Sequence, residues 1–125
     1  MIGYVTLGTN DLARAAAFYD ALLAEIGARR WMESDRFIAW ATAPDKPSLG
    51  VILPFDGQPA TAGNGTMVSL VMDSNAQVDR LYAKALELGA KDEGPAGPRG
   101  MNGFYAGYVR DLDGNKLNLF CYTPA

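Results

Sequence analysis

Apolar and polar positions alternate along Tyr4-Val-Thr-Leu7, then switch to helical spacing at Leu12, Ala15, Tyr19, Leu22 and Ile26. The first pattern predicts a strand and the second a helix with one buried stripe. Asn10 or Asp11 is placed to cap that helix by accepting a backbone N–H bond, and Gly27 suits a left-handed cap at its end. The same order returns downstream. Met67-Val-Ser-Leu-Val71 reads as a strand and Asp73 or Ser74 as a cap. Val78, Leu81, Tyr82, Ala85 and Leu88 form an apolar stripe that Gly89 closes. Phe18-Tyr19 and Leu81-Tyr82 hold equivalent places, as do Ile26-Gly27-Ala28 and Leu88-Gly89-Ala90. Each match is short, but their common order predicts an internal repeat.

Strand-like segments follow each helix. They are Arg29–Glu33, Arg36–Thr42 and Ser48–Pro54 in the first half, and a short piece near Lys91, Phe104–Arg110 and Lys116–Tyr122 in the second. Asp113-Gly114 between the last two is a hairpin signal, because glycine tolerates positive φ. Gly94–Gly103, with Pro95 and Pro98, reads as a mobile loop. The prediction is an α+β fold of two βαβββ modules in one domain, residues 1–125. Module one spans about residues 1–57, a polar Gly-rich link about 58–65, and module two about 66–125. A four-stranded sheet under one helix has a second face that needs burial or a ligand. Two such mixed sheets side by side curve into a cleft.

Composition narrows the function classes. A chain of 125 residues with 49% hydrophobic content can fill a core, and dimerisation would help one this small. The net charge of -3 and absence of a basic patch argue against nucleic acid. No apolar run approaches the roughly 20 residues of a membrane span. Met1 runs into a strand-like segment without the charged start of a signal peptide, so the cytoplasm is the expected location. Cys121 is the only cysteine and the chain has no histidine. An internal disulfide and a Cys–His nucleophile are thereby excluded, and Cys121 reads as a small core residue.

Several segments together carry a resemblance. They are Asn10-Asp11-Leu12-Ala13-Arg14 after the first strand, Ala17-Phe18-Tyr19-Asp20, Phe55-Asp56-Gly57-Gln58-Pro59, Gly63-Asn64-Gly65-Thr66, and above all Tyr108-Val109-Arg110-Asp111-Leu112-Asp113-Gly114-Asn115-Lys116-Leu117-Asn118. On these the chain resembles the vicinal oxygen chelate superfamily, the glyoxalase, bleomycin-resistance and ring-cleaving dioxygenase group. The resemblance implies paired βαβββ modules and a homodimer with clefts. In metal-dependent members it places ligands where this chain has Tyr4, Met67 and Asn118, with a fourth in the Leu49–Leu53 strand. Divalent transition metals want imidazole nitrogen or carboxylate oxygen. A neutral phenol, a thioether and an amide do not meet that demand, so no metal and no cofactor is expected.

Strand periodicity puts Tyr4 with Thr6, Met67 with Ser69, and Asn118 with Phe120, and the resemblance turns these faces into the cleft. Tyr105 and Tyr108 have opposite parity, so at most one joins them; Tyr108 is taken as that residue. Arg99 is a candidate for a ligand's carboxylate or phosphate. Trp31 and Trp40 are aromatic surfaces for stacking or for core and dimer packing. Asp111 and Asp113 are read as turn residues rather than a catalytic pair. The predicted function is metal-free binding of a small organic molecule. The alternative is a glyoxalase-like lyase, isomerase or dioxygenase relative with unusual chemistry, for which no base is visible and no catalytic residue is assigned. A third reading is a structural dimer with a filled cleft.

Overall fold

The structure is a computed structural model that describes residues 1–123. The chain divides into two compact units, the first Met1–Ala62 and the second from Gly63 onward. In the first unit β1 (Tyr4–Gly8) leads to α1 (Leu12–Ala24), then β2 (Arg29–Glu33), β3 (Phe37–Ala41) and β4 (Ser48–Ile52). The sheet order is β1-β4-β3-β2, with β1 parallel to β4 and the other pairs antiparallel. The second unit repeats this with β5 (Val68–Val71), α2 (Asn75–Glu87), β6 (Lys91–Pro98), β7 (Phe104–Arg110) and β8 (Lys116–Tyr122) in the order β5-β8-β7-β6. The α+β fold of two βαβββ modules is thus the observed one, as two four-stranded mixed sheets, each with its own helix.

Local chemistry sets the helix ends. Of the two cap candidates in each half, the structure selects Asp11, which accepts from Arg14 N at 3.0 Å, and Ser74, which accepts from Gln77 N at 3.1 Å. Past α1 the chain turns through Gly27 at φ 78°, and Ala28 N reaches back to Leu23 O at 3.0 Å. Gly89 does the same past α2 at φ 106°, with Ala90 N on Ala85 O at 2.9 Å.

Each helix seals one face of its own sheet. α1 buries Ala15, Ala16, Phe18, Tyr19, Leu22 and Leu23. This stripe is broader than predicted, while Leu12 and Ile26 at its ends are only half-buried. The Trp40 indole from β3 enters this layer, 5.6 Å from the Tyr19 ring, and donates to Asp20 Oδ1 at 2.8 Å. Arg30 holds the same carboxylate through both oxygens, at 2.9 and 2.7 Å. In the second unit Val78, Leu81 and Ala85 meet Val109, Leu117, Leu119 and Cys121, all buried. Cys121 is a free core cysteine.

Two departures from the predicted elements have physical causes. β6 runs through Gly94, Pro95 and Gly97, part of the stretch expected to be a loop, and only residues 99–103 lie outside the strands. It is an edge strand, where a proline costs no ladder bond, and its irregular register at Asp92, Gly94 and Gly97 absorbs the glycines. The β7–β8 turn follows expectation. Asp111 accepts from the backbone N–H of Asp113 and of Asn115 at 2.9 Å each, and from Asn115 Nδ2 at 3.0 Å. Gly114 sits there at φ 89°.

Candidate functional site

In the first unit, Trp40 and Ile38 point toward α1, so their strand neighbours Phe37 and Ala39 lie on the other face. The register extends that face across the sheet, pairing Thr6 with Gly50, Gly50 with Ala39 and Ala39 with Met32. The middle of the row carries almost no side chain, and larger groups stand around it. The result is a concavity of about 440 Å³ lined by Tyr4, Thr6, Trp31, Met32, Phe37, Ala39, Ser48 and Ile52. Its floor depends on Gly50, where a Cβ would lie 2.4 Å from the Phe37 ring. Tyr4 and Phe37 stand at a centroid distance of 6.3 Å.

Trp31 and Met32 are consecutive, so in a regular strand they would face opposite ways. A bulge between Arg30 and Met32 breaks the alternation and brings both to the same concavity. They remain 52% and 47% exposed, and Tyr4 66%, although all three are large. The lining offers three hydroxyl groups, from Tyr4, Thr6 and Ser48, and otherwise apolar surface. It contains no carboxylate, imidazole, ammonium or guanidinium group.

The second unit has an equivalent row of different character. Tyr105 Oη donates to Asp79 on α2 at 2.6 Å, and Gly107 approaches Tyr82 of the same helix. Tyr108 therefore lies on the face away from α2. Register pairs Ser69 with Asn118, Asn118 with Tyr108 and Tyr108 with Gly94. The small Thr6–Gly50–Ala39 row of the first unit is thus replaced by Ser69–Asn118–Tyr108. Asn118 is buried; its Nδ2 donates to Ser69 Oγ at 3.1 Å, and its Oδ1 is buried with no partner. An unmade hydrogen bond of that kind costs about 1–3 kcal/mol. The Arg99 guanidinium stands 5.4 Å and the Lys116 ammonium 5.5 Å from the Tyr108 ring centre.

The predicted site residues therefore fall into two groups. Tyr4 and Thr6 line the first-unit concavity. Ser69, Tyr108 and Asn118 form the second-unit row, with Arg99 against Tyr108. Phe120 stacks on Phe104 at 5.7 Å, and Met67 lies one residue before β5 and is 41% exposed. Trp31 is a lining residue while Trp40 is core. Sequence reasoning missed Met32, Phe37, Ala39, Ser48 and Ile52. β3 and β4 are largely buried on both faces, so no alternation told the two apart.

The residues at the family-implied metal positions do not fit a divalent transition metal. The donor set is a phenol, a thioether and an amide already engaged with Ser69. Among the described residues no three His, Cys, Asp or Glu side chains converge into a metal-holding group. Among them, too, no helix is long and apolar enough to cross a membrane.

The sequence matches the family described as Glyoxalase/Bleomycin resistance protein/Dioxygenase superfamily over residues 1–119. Among solved structures, a glyoxalase/bleomycin resistance protein from Albidiferax ferrireducens T118 is 33% identical. It has a TM-score of 0.89, with 98% of this chain and 99% of that one covered. Two more distant structures share the fold. A glyoxalase/bleomycin resistance protein/dioxygenase family enzyme from Burkholderia phytofirmans PsJN is 19% identical, with a TM-score of 0.78 over 97% and 98% of the two chains. A glyoxalase-related enzyme from Fulvimarina pelagi is 21% identical, with a TM-score of 0.76 over 97% and 87%. No curated protein matches the sequence.

Proposed function

The chain belongs to the glyoxalase/bleomycin resistance protein/dioxygenase superfamily, and from that premise we propose that it is a cytoplasmic, homodimeric, metal-free protein that binds a small, planar and largely apolar organic molecule. The whole chain acts as one domain in this reading. The observation that carries it is the first-unit concavity, where Tyr4, Trp31, Met32 and Phe37 surround small residues at the centre of the sheet. Large aromatic groups left half in water around a recess are the usual makings of a ligand pocket. Its volume lies within the range of small-molecule sites, roughly 300–1,000 Å³. Tyr4, Thr6 and Ser48 supply the few hydrogen bonds that would fix orientation. An enzymatic reading needs a general acid or base, and the lining holds no carboxylate or imidazole to serve as one.

Native mass spectrometry of the freshly purified protein, without added metal, tests the proposal. The expected species is a dimer carrying a discrete organic molecule and no stoichiometric metal. A stoichiometric metal would overturn the metal-free reading, and a monomer the dimeric one. The pocket itself is tested by titration with N-phenyl-1-naphthylamine, a neutral planar dye. Saturable fluorescence enhancement is expected, with affinity reduced about tenfold in Trp31→Ala, the scale set by losing one aromatic contact. Equal affinity in the two proteins would place the dye elsewhere.

A further inference from the structure

The second unit holds unsatisfied chemistry that an apolar ligand in the first unit does not use. Arg99 and Lys116 stand against one ring, that of Tyr108. The acids nearest in sequence on β6 are engaged elsewhere. Asp92 accepts from Tyr82 Oη and Gly94 N, both at 2.8 Å, and Glu93 pairs with Arg110 at 2.6 Å. Among the described residues neither Arg99 nor Lys116 has an acidic partner. Arg99 donates only to the Pro95 carbonyl, a contact that leaves its charge uncompensated. The approach of Arg99 to Tyr108 also needs the missing side chain of Gly94, where a Cβ would lie 3.1 Å from the ring and 3.4 Å from the guanidinium. A second, independent feature adjoins this pair of cations. Asn118, the direct cross-strand partner of Tyr108, is 4% exposed and keeps Oδ1 without a hydrogen-bond donor.

We propose that the Ser69–Asn118–Tyr108 row is a binding site for a small hydroxy-carboxylate. Arg99 and Lys116 hold the carboxylate beside Tyr108, and the ligand's hydroxyl donates to Asn118 Oδ1. The assignment follows from matching charge and hydrogen-bond direction. Two uncompensated cations call for an anion, and guanidinium and ammonium groups both suit carboxylate oxygen. A buried acceptor calls for a donor, which a bare carboxylate lacks and an adjacent hydroxyl supplies. Ser69 Oγ, accepting from Asn118 Nδ2, fixes which end of the amide is left for the ligand. This site goes beyond the apolar pocket and does not depend on it.

The test is a ¹⁵N NMR titration of the full chain with glycolate and, in parallel, acetate. Glycolate is expected to give saturable shifts of the Asn118 side-chain amide, with Kd on the order of a millimolar. Acetate, without the hydroxyl, is expected to bind about tenfold more weakly. Arg99→Gln and Lys116→Gln should each weaken glycolate by about tenfold while leaving the rest of the amide spectrum in place, which shows that the variants fold. Raising salt should weaken binding further, since part of the attraction is screened. Equal affinity for glycolate and acetate would overturn the hydroxy-acid assignment. Shifts unchanged in both variants, or no saturable shift at all, would overturn the site. Loss of dye binding with intact glycolate binding would sink the apolar-pocket reading alone.

Discussion

Gly50 sets the depth of the first-unit concavity, because the Phe37 ring occupies the space its side chain would take. Gly50→Ala is expected to push that ring toward the opening, lowering stability by about 1–3 kcal/mol as an overpacked site does. Urea unfolding measures the loss, and the same variant should weaken the naphthylamine dye. A second residue, Asp20, ties the Trp40 indole and the Arg30 guanidinium to the edge of α1. Asp20→Ala leaves a buried N–H without its acceptor and should cost about 1–3 kcal/mol. The charge of Asp20 makes a separate, pH-dependent contribution. The Arg30 hydrogen bonds, with help from Trp40, hold its carboxyl below the ordinary value of 3.8 despite partial burial. A lowered folded value means that the unfolded chain takes up the proton first as pH falls. The stabilisation is therefore complete above pH 3.8 and disappears as pH drops through the lower folded value. The gap in melting temperature between the native protein and Asp20→Asn should close over that acid range and stay constant above it.

The helices were the elements most legible in the sequence, because a 3.6-residue stripe reports burial on one side only. Their caps were narrowed to two residues each, and hydrogen-bond geometry then selected Asp11 and Ser74. Removing the Ser74 hydroxyl leaves Gln77 N without its acceptor, so Ser74→Ala should cost about 1 kcal/mol, read as a shift in the urea midpoint with unchanged slope. The strands were legible in number but less so in extent and facing. β6 was hidden by Gly94, Pro95 and Gly97, which have low strand propensity yet are tolerated at a sheet edge. In β2 the bulge after Arg30 defeats the parity rule, so Trp31 was singled out without being placed in the pocket and Met32 was missed. Parity did succeed for Tyr105 and Tyr108, whose opposite facing the Asp79 and Asn118 contacts display.

Across the whole chain, one scaffold is used twice with opposite side-chain choices. The central row of the first unit is Thr6–Gly50–Ala39, and the row at the same register in the second is Ser69–Asn118–Tyr108. The repeat was readable because it is written in core periodicity, whereas the difference between the rows is written in residues that the core does not constrain. This is why the fold followed from the sequence and the pocket only in part: Tyr4 and Thr6 were identified, but the β3 and β4 contributions were not. The comparison also predicts how to exchange one character for the other. Ala39 holds the place in the first unit that Tyr108 holds in the second, and it faces the concavity. A phenol there would occupy the recess that Gly50 and Ala39 leave open, without entering the layer beneath α1. Ala39→Tyr should therefore retain the melting cooperativity and far-ultraviolet spectrum of the native protein while losing at least tenfold in dye affinity, roughly 1.4 kcal/mol. Its glycolate affinity should not change, since the second-unit row is untouched. Dye affinity that survives this filling would show that the first-unit concavity is not where the apolar ligand binds.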